Sequence, residues 1–328
     1  MGDLNMPSVT SDFQGWLPIR AWPEQGQWWI DWCWFGQQAL TEPFYRDSVQ
    51  KALRKPFNQA MRRITPITEL LDWQRRSPAP APRALIHHAS RCGSTLMAQL
   101  LAQLPSHTVV SEPPPLDALL RAHFLDPAAA SQQPAWVGAL LSAFGQARHG
   151  NETALVIKLD AWNIFEAQFL RQLYPDTPWV FLYRDPLEIV VSQLRQPGIH
   201  MVPGMIGPSL LAFPLDEAAR MSPLEFAARS IGKILQQGLE QCRAGGGLPV
   251  NYSELPTALW GRLAPLFGVP DSASAVMLRT AGQNAKEPGM GFIPDSTDKR
   301  ATASPEVRAA VERWAQAPYT ALELLRLG

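Results

Sequence analysis

Ala84-Leu85-Ile86-His87-His88-Ala89-Ser90-Arg91-Cys92-Gly93-Ser94-Thr95-Leu96 decides how this chain folds: an apolar run stops at a turn of small residues, and a helical period begins inside it. Leu96, Met97, Leu100, Leu101 and Leu104 recur at three- and four-residue spacing until Pro105, so the stretch reads as strand, loop and helix, with the helix starting near Gly93. The first N–H groups of such a helix have no intrahelical partner, and the positive end of its dipole adds to them. The loop is therefore suited to hold an anion.

Further apolar runs of strand length follow on both sides of helical stretches. His107-Thr108-Val109-Val110-Ser111 leads into Glu112-Pro113-Pro114-Pro115, and Ala154-Leu155-Val156-Ile157-Lys158 precedes a helix expected from about Trp162 to Leu173. Pro178-Trp179-Val180-Phe181-Leu182-Tyr183 runs into Arg184-Asp185-Pro186, where Pro186 marks a first helical turn. A last strand is expected within Leu248-Pro249-Val250-Asn251-Tyr252-Ser253-Glu254-Leu255, before a helix running into Leu266-Phe267-Gly268-Val269. Strands alternating with helices imply an α/β fold, a central parallel sheet covered by helices, with ligands beyond the C-terminal ends of the strands; its first strand, loop and helix resemble those of P-loop-type three-layer folds. Glu112, Lys158 and Arg184 each fall within about a residue of such an end.

The loop resembles the phosphate loop of nucleotide triphosphatases but departs from it: Ser94 stands where that motif requires lysine, and the cation comes early, as Arg91. Ser90-Arg91-Cys92-Gly93-Ser94-Thr95 is instead similar to the 5′-phosphosulfate loop of sulfotransferases that use 3′-phosphoadenosine 5′-phosphosulfate. The layout is most like that of the tyrosylprotein and bacterial-type members. The resemblance implies that Arg91, Cys92, Gly93, Ser94 and Thr95 cradle the 5′ end of that co-substrate, and that Arg184 with Ser192, two helical turns further on, holds the 3′-phosphate. It gives Glu112 the part of general base, with a pKa raised by a partly dry site, and places Lys158 at the sulfuryl group beside Arg91. The family's N-K-D-P context is only partly kept around Lys158, which has Ile157, Leu159 and Asp160 as neighbours.

Two later segments match more loosely. Tyr252 corresponds to a residue near the adenine, and Ser296, Lys299 and Arg300, in the polar stretch after Phe292, to a segment folding over the phosphates. The implied reaction is in-line transfer of a sulfuryl group to a hydroxyl or amine, with no metal. A P-loop kinase using magnesium and ATP, or a noncatalytic nucleotide-binding module, are the alternatives. The acceptor is not legible, nor is the oligomeric state. Pro197-Gly198-Ile199-His200-Met201-Val202-Pro203-Gly204-Met205-Ile206-Gly207-Pro208 has no helix or strand period and is apolar, which suits either an acceptor lid or plain core contact.

Bulk properties set the frame. The chain of 328 residues is 46% hydrophobic, and its 29 Lys+Arg cancel its 29 Asp+Glu, so it can bury a large core and carries no overall basic field for nucleic acid. Three cysteines offer neither a disulfide framework nor metal-ligand spacing, which suits a reducing, cytoplasmic setting. The first residues lack signal-peptide regions, and no uninterrupted apolar run is long enough to span a bilayer.

Residues 1–76 read as a separate Trp-rich α+β extension, 77–83 as a stiff proline-rich linker, and 84–328 as the sulfotransferase-like domain. Gly15–Arg20 and Gln27–Phe35 are expected strands of the extension, and Phe57–Ile64 a short helix between prolines. Its tryptophans fill a small core or form an acceptor platform. His87 and His88, adjacent in a strand, point to opposite faces and read as packing residues rather than a metal pair. Cys92, at a helix start, is expected to be acidified, but the arginine that would complete a phosphatase loop is Ala98.

Overall fold

The computed structural model describes residues 12–281 and 296–328. Its centre is a five-stranded parallel sheet of β4 (Ala84–His88), β5 (His107–Ser111), β6 (Ala154–Lys158), β7 (Trp179–Tyr183) and β8 (Gly247–Asn251), in the order β5-β6-β4-β7-β8. The first four of these strands are buried at every residue, which is why they read as unbroken apolar runs: helices cover both faces. Alternate side chains serve the two faces. Leu85, Val110, Ile157 and Phe181 join one apolar cluster, and Ile86, Val109, Val156, Val180 and Val250 the other.

Residues near the N-terminus form a second, antiparallel sheet, β1 (Trp16–Glu24), β2 (Gln27–Trp34) and β3 (Arg63–Pro66). Gln25 and Gly26 both have left-handed φ, 52° and 76°, and close the two-residue β1–β2 hairpin with the twist that strands prefer. This sheet is not a core of its own. Leu17, Ile30, Trp32 and Phe35 belong to the same cluster as Leu85, Leu155 and Phe181, and the helix Gln133–Phe144, buried on nearly every side, lies between.

Local corrections follow from pairing. The expected helix over 57–64 is Pro56–Ala60 only, because β-branched Ile64 and Thr65 pair with Asp31 and Ile30 as β3. Tyr252 is not in a strand; β8 stops at Asn251, whose side chain caps a 3₁₀ turn, Tyr252–Glu254. The chain's end folds as three helices, Ser296–Thr302, Pro305–Trp314 and Gln316–Leu327. Among the described residues no helix is long and apolar enough to cross a membrane.

Candidate active site

All five strands of the parallel sheet end on one side of the molecule, and the site is assembled there. Between β4 and the helix Ser94–Leu101 the backbone of Ser90, Arg91 and Gly93 is left-handed, with φ of 64°, 48° and 87°. For the two residues that carry a Cβ this costs about 1–2 kcal/mol each, a strain that folded proteins keep where successive amides must converge on a ligand. Three tethers hold the loop: Ser90 N–H donates to His88 Nδ1 at 3.0 Å, Gln193 Nε2 to Ser90 Oγ at 2.9 Å, and Arg91 Nη2 to the Gln196 carbonyl at 2.5 Å. Ser94 and Thr95 are buried in the first helical turn. Gly93 admits no side chain, since a Cβ would come within 2.6 Å of Tyr252 Cδ2.

Cys92 behaves differently from the expectation for a helix start. Its thiol, fully buried, donates to the Leu182 carbonyl at 3.1 Å, and burial pushes its pKa up to about 11. The side chain is turned into the sheet, where desolvation outweighs the helix dipole.

Beside the loop, the ends of β5 and β6 put opposite charges together. Lys158 is 0% exposed, and its ammonium pairs with the Glu112 carboxylate. Glu112 has φ of 50°, and its own N–H donates to the Lys158 carbonyl at 2.7 Å, so a strained residue directs its side chain back over the lysine. His88 Nε2 lies 3.3 Å from Glu112 Oε1. Because Nδ1 of that ring accepts from Ser90, the hydrogen-bond network assigns the proton of the neutral imidazole to Nε2, facing the carboxylate. Burial, then Lys158, lowers the His88 pKa and keeps the ring neutral.

The raised pKa expected for Glu112 is overturned. Burial does push it up, but Lys158 and then His88 outweigh burial and hold the carboxyl well below the usual carboxylate range. With 22% of its side chain exposed, Glu112 stays within reach of solvent while Lys158 does not. Phe44, from the chain before the helix Tyr45–Leu53, covers the lysine with its ring centroid 5.2 Å from Nζ.

The other cationic group lies across Tyr252. Arg184, buried just past β7, stands 4.3 Å from the Tyr252 ring centroid, and that same ring is the one blocking a side chain at Gly93. Arg184 therefore adjoins the loop. Its Nε donates to Glu188 Oε2 at 2.5 Å, and Arg300 Nε donates to the other oxygen of that carboxylate at 2.7 Å while approaching Asp185 at 3.1 Å. Asp185 also caps the helix Pro186–Arg195 through Leu187 N–H, and Ser192 lies two turns along that helix. Lys299 is buried in the helix Ser296–Thr302, which Ser296 opens. Phe292, Ile293, Pro294 and Asp295 lie outside the described residues.

The fold thus brings the loop, Glu112 and Lys158 together, and sets Arg184, Tyr252 and Arg300 beside them. Sequence reasoning missed His88, Glu188, Gln193 and Phe44. His87 does pack, edge-on to Trp179 with ring centroids 5.5 Å apart, but His88, on the opposite face, belongs to the site. Its place directly before the loop was the available signal, as was the four-residue spacing of Arg184 and Glu188. Phe44 and Gln193 gave none.

No family model and no curated protein matches the chain. Solved structures do. The sulfotransferase domain from the curacin biosynthetic pathway is 15% identical, with a TM-score of 0.43, over 72% of this chain and 98% of that one. Sulfotransferase STF9 from Mycobacterium avium is 13% identical, with a TM-score of 0.44, over 82% of this chain and 80% of that one. A sulfotransferase from Alicyclobacillus acidocaldarius is 14% identical, with a TM-score of 0.39, over 75% and 96%.

Proposed function

We propose that the chain is a sulfotransferase, moving a sulfuryl group from 3′-phosphoadenosine 5′-phosphosulfate to a hydroxyl or amine by in-line displacement. One observation carries this reading: a strained anion loop without the lysine of nucleotide triphosphatases, flanked by a buried lysine–carboxylate pair from the neighbouring strands. The co-substrate supplies an activated sulfuryl group on a nucleotide leaving group. The loop suits its 5′ end, because successive residues with left-handed φ form the kind of backbone concavity that binds anions, at the start of a helix.

The chain's own residues do the rest. The loop amides, with Ser94 and Thr95, hold the 5′ oxygens, and Arg184, Ser192 and Arg300 meet the 3′-phosphate, with Tyr252 against the base and Ser296 and Lys299 closing over that end. Lys158 is the pivot. Paired with Glu112, it keeps that carboxylate weakly basic; drawn toward an oxyanion at the loop, it releases the carboxylate to accept the acceptor's proton. Arg91 and Lys158 then offset charge developing on the transferred group and on the departing oxygen. His88, whose Nε2 lies 3.3 Å from Glu112 Oε1 and whose Nδ1 accepts from Ser90 N–H, stands between the carboxylate and the loop and is a positioning residue.

Titration with adenosine 3′,5′-bisphosphate tests the reading directly. Wild type is expected to bind, and Arg184→Ala to bind at least about tenfold more weakly through loss of a charge-assisted bidentate contact. Equal affinity in the two proteins would remove the 3′-phosphate site. Magnesium-dependent turnover of ATP by the purified protein would favour a kinase instead.

A further inference from the structure

Residues 202–226 enclose a cavity of about 320 Å³ whose walls include Pro203, Ile206, Leu211, Phe213, Ala218 and Phe226, and in which His200 is the one polar side chain among the described residues. A loop so rich in Gly and Pro leaves many backbone groups to satisfy, and here two cations take its carbonyls from outside. Arg121 donates to Ile206 and Pro208, at 2.5 and 3.0 Å, and Lys233 to Leu210, Leu211 and Ala212, at 2.9, 2.9 and 3.3 Å. With the polar backbone occupied outward, the apolar side chains face one another across an open space. The rim is apolar too: Val202 is 44% exposed and Leu215 74%, with Met205 and Leu210 exposed nearby.

This cavity is tied to the anion loop. Gly198 N–H donates to Gln193 Oε1 at 2.8 Å while the same amide reaches Ser90 Oγ, and the Gln196 carbonyl accepts from Arg91. His200 belongs to both places. It lines the cavity, packs against Trp162 with ring centroids 5.5 Å apart, and is 6% exposed, and its buried Nε2 has no hydrogen-bond partner among the described residues. Burial pushes its pKa down to about 4, in the combined field of His88, Glu112 and Arg91, so the ring is neutral near pH 7.

We infer that the cavity behind His200 seats the hydrocarbon part of the acceptor, so that the acceptor is an amphiphile: an alcohol or amine on an apolar body, its polar end toward Glu112. The volume holds about ten non-hydrogen atoms at the roughly 30 Å³ a molecule of water takes in the liquid. The inference rests on the sulfotransferase reading for its reaction, in which the acceptor's O–H or N–H proton passes to Glu112 as the new S–O or S–N bond forms and the bond to the nucleotide phosphate breaks.

Straight-chain alcohols from 1-butanol to 1-decanol are the probe, titrated with adenosine 3′,5′-bisphosphate present and absent. Affinity is expected to rise about fourfold per methylene until the cavity is full and then level off. Ala218→Trp, which fills the cavity, should abolish that gain, and Leu215→Glu, a change on an exposed rim that leaves the fold alone, should weaken the longest alcohols severalfold. Both variants should bind the bisphosphate as wild type does. Affinity independent of chain length, or a gain that survives Ala218→Trp, overturns the cavity as the seat. With 3′-phosphoadenosine 5′-phosphosulfate supplied, transfer to 1-decanol in wild type and its loss in Ala218→Trp support the acceptor assignment, whereas bisphosphate binding without transfer to any alcohol overturns it. Failure of wild type to bind the bisphosphate sinks the donor reading and leaves the chain-length result standing by itself.

Discussion

The two cationic ends of the cleft are built in opposite ways. At the loop end, Lys158 and Glu112 issue from adjacent strand ends, one fully buried and the other strained into position, so sheet register fixes their separation. At the far end, Arg184, Glu188 and Arg300 come from a helix start and from a helix more than a hundred residues later, and one carboxylate neutralises two guanidinium groups. On the proposed function, the first arrangement sets the chemistry, and the second is a counterion network in which an incoming phosphate would replace a carboxylate. Preorganisation belongs where charge develops in the transition state, while binding tolerates partner exchange.

The comparison breaks most severely at Glu112. Glu112→Gln keeps an oxygen for Lys158 but cannot take a proton, so turnover with any sulfated acceptor should fall by about 10²–10⁴ while bisphosphate affinity stays within about threefold. Unchanged turnover, measured by transfer of labelled sulfuryl, would remove the rigid end from the chemistry. Gly93→Ala should weaken bisphosphate binding by roughly a hundredfold, because the new methyl meets Tyr252 at 2.6 Å and the residue must keep a φ of 87°. Calorimetry reads it, and near-native affinity would mean the loop is not the 5′ anchor.

Glu188→Gln sharpens the contrast from the other end. Removing the shared carboxylate should lower the melting temperature, since a buried ion pair of Arg184 is broken, yet tighten bisphosphate binding several- to tenfold, because that carboxylate no longer competes with the phosphate. Weaker binding would show that Glu188 positions Arg184 rather than opposing the ligand. The smallest effect is on pH-dependent stability. Glu112 has its folded pKa lowered from 4.5, so its pairing contributes fully above about pH 4.5 and is lost as pH falls through the folded value. The stability difference between wild type and Glu112→Gln, about 3 kcal/mol near neutral pH, should be flat from pH 6 to 8 and narrow below pH 4.5 in denaturant titrations.

Much of this was legible in the residues. The five parallel strands announced themselves as short apolar runs because both sheet faces are covered, and the loop because only Gly, with neighbours held in strain, fits its turn. The gathering of Glu112, Lys158 and Arg184 at one edge of the sheet was legible because parallel strands all end on the same side. His88 was not, since periodicity says which face a side chain takes but not what waits there. The sign of the Glu112 shift was misjudged for a related reason: burial of a carboxyl argues for a raised pKa, and only the approach of Lys158 and His88 reverses it.

The sequence by itself determined the sheet, the direction of its strands and the position of the strained loop after β4, because these depend on periodicity and on backbone constraints that act within a few residues. Tertiary structure alone decided which charges neutralise one another, that Phe44 covers the lysine and the N-terminal sheet shares a core with the parallel sheet, and that residues 202–226 leave an apolar space beside the loop. Such interactions join residues far apart in the chain at distances of a few ångströms, where Coulomb energy and desolvation are steepest, and no local pattern encodes them.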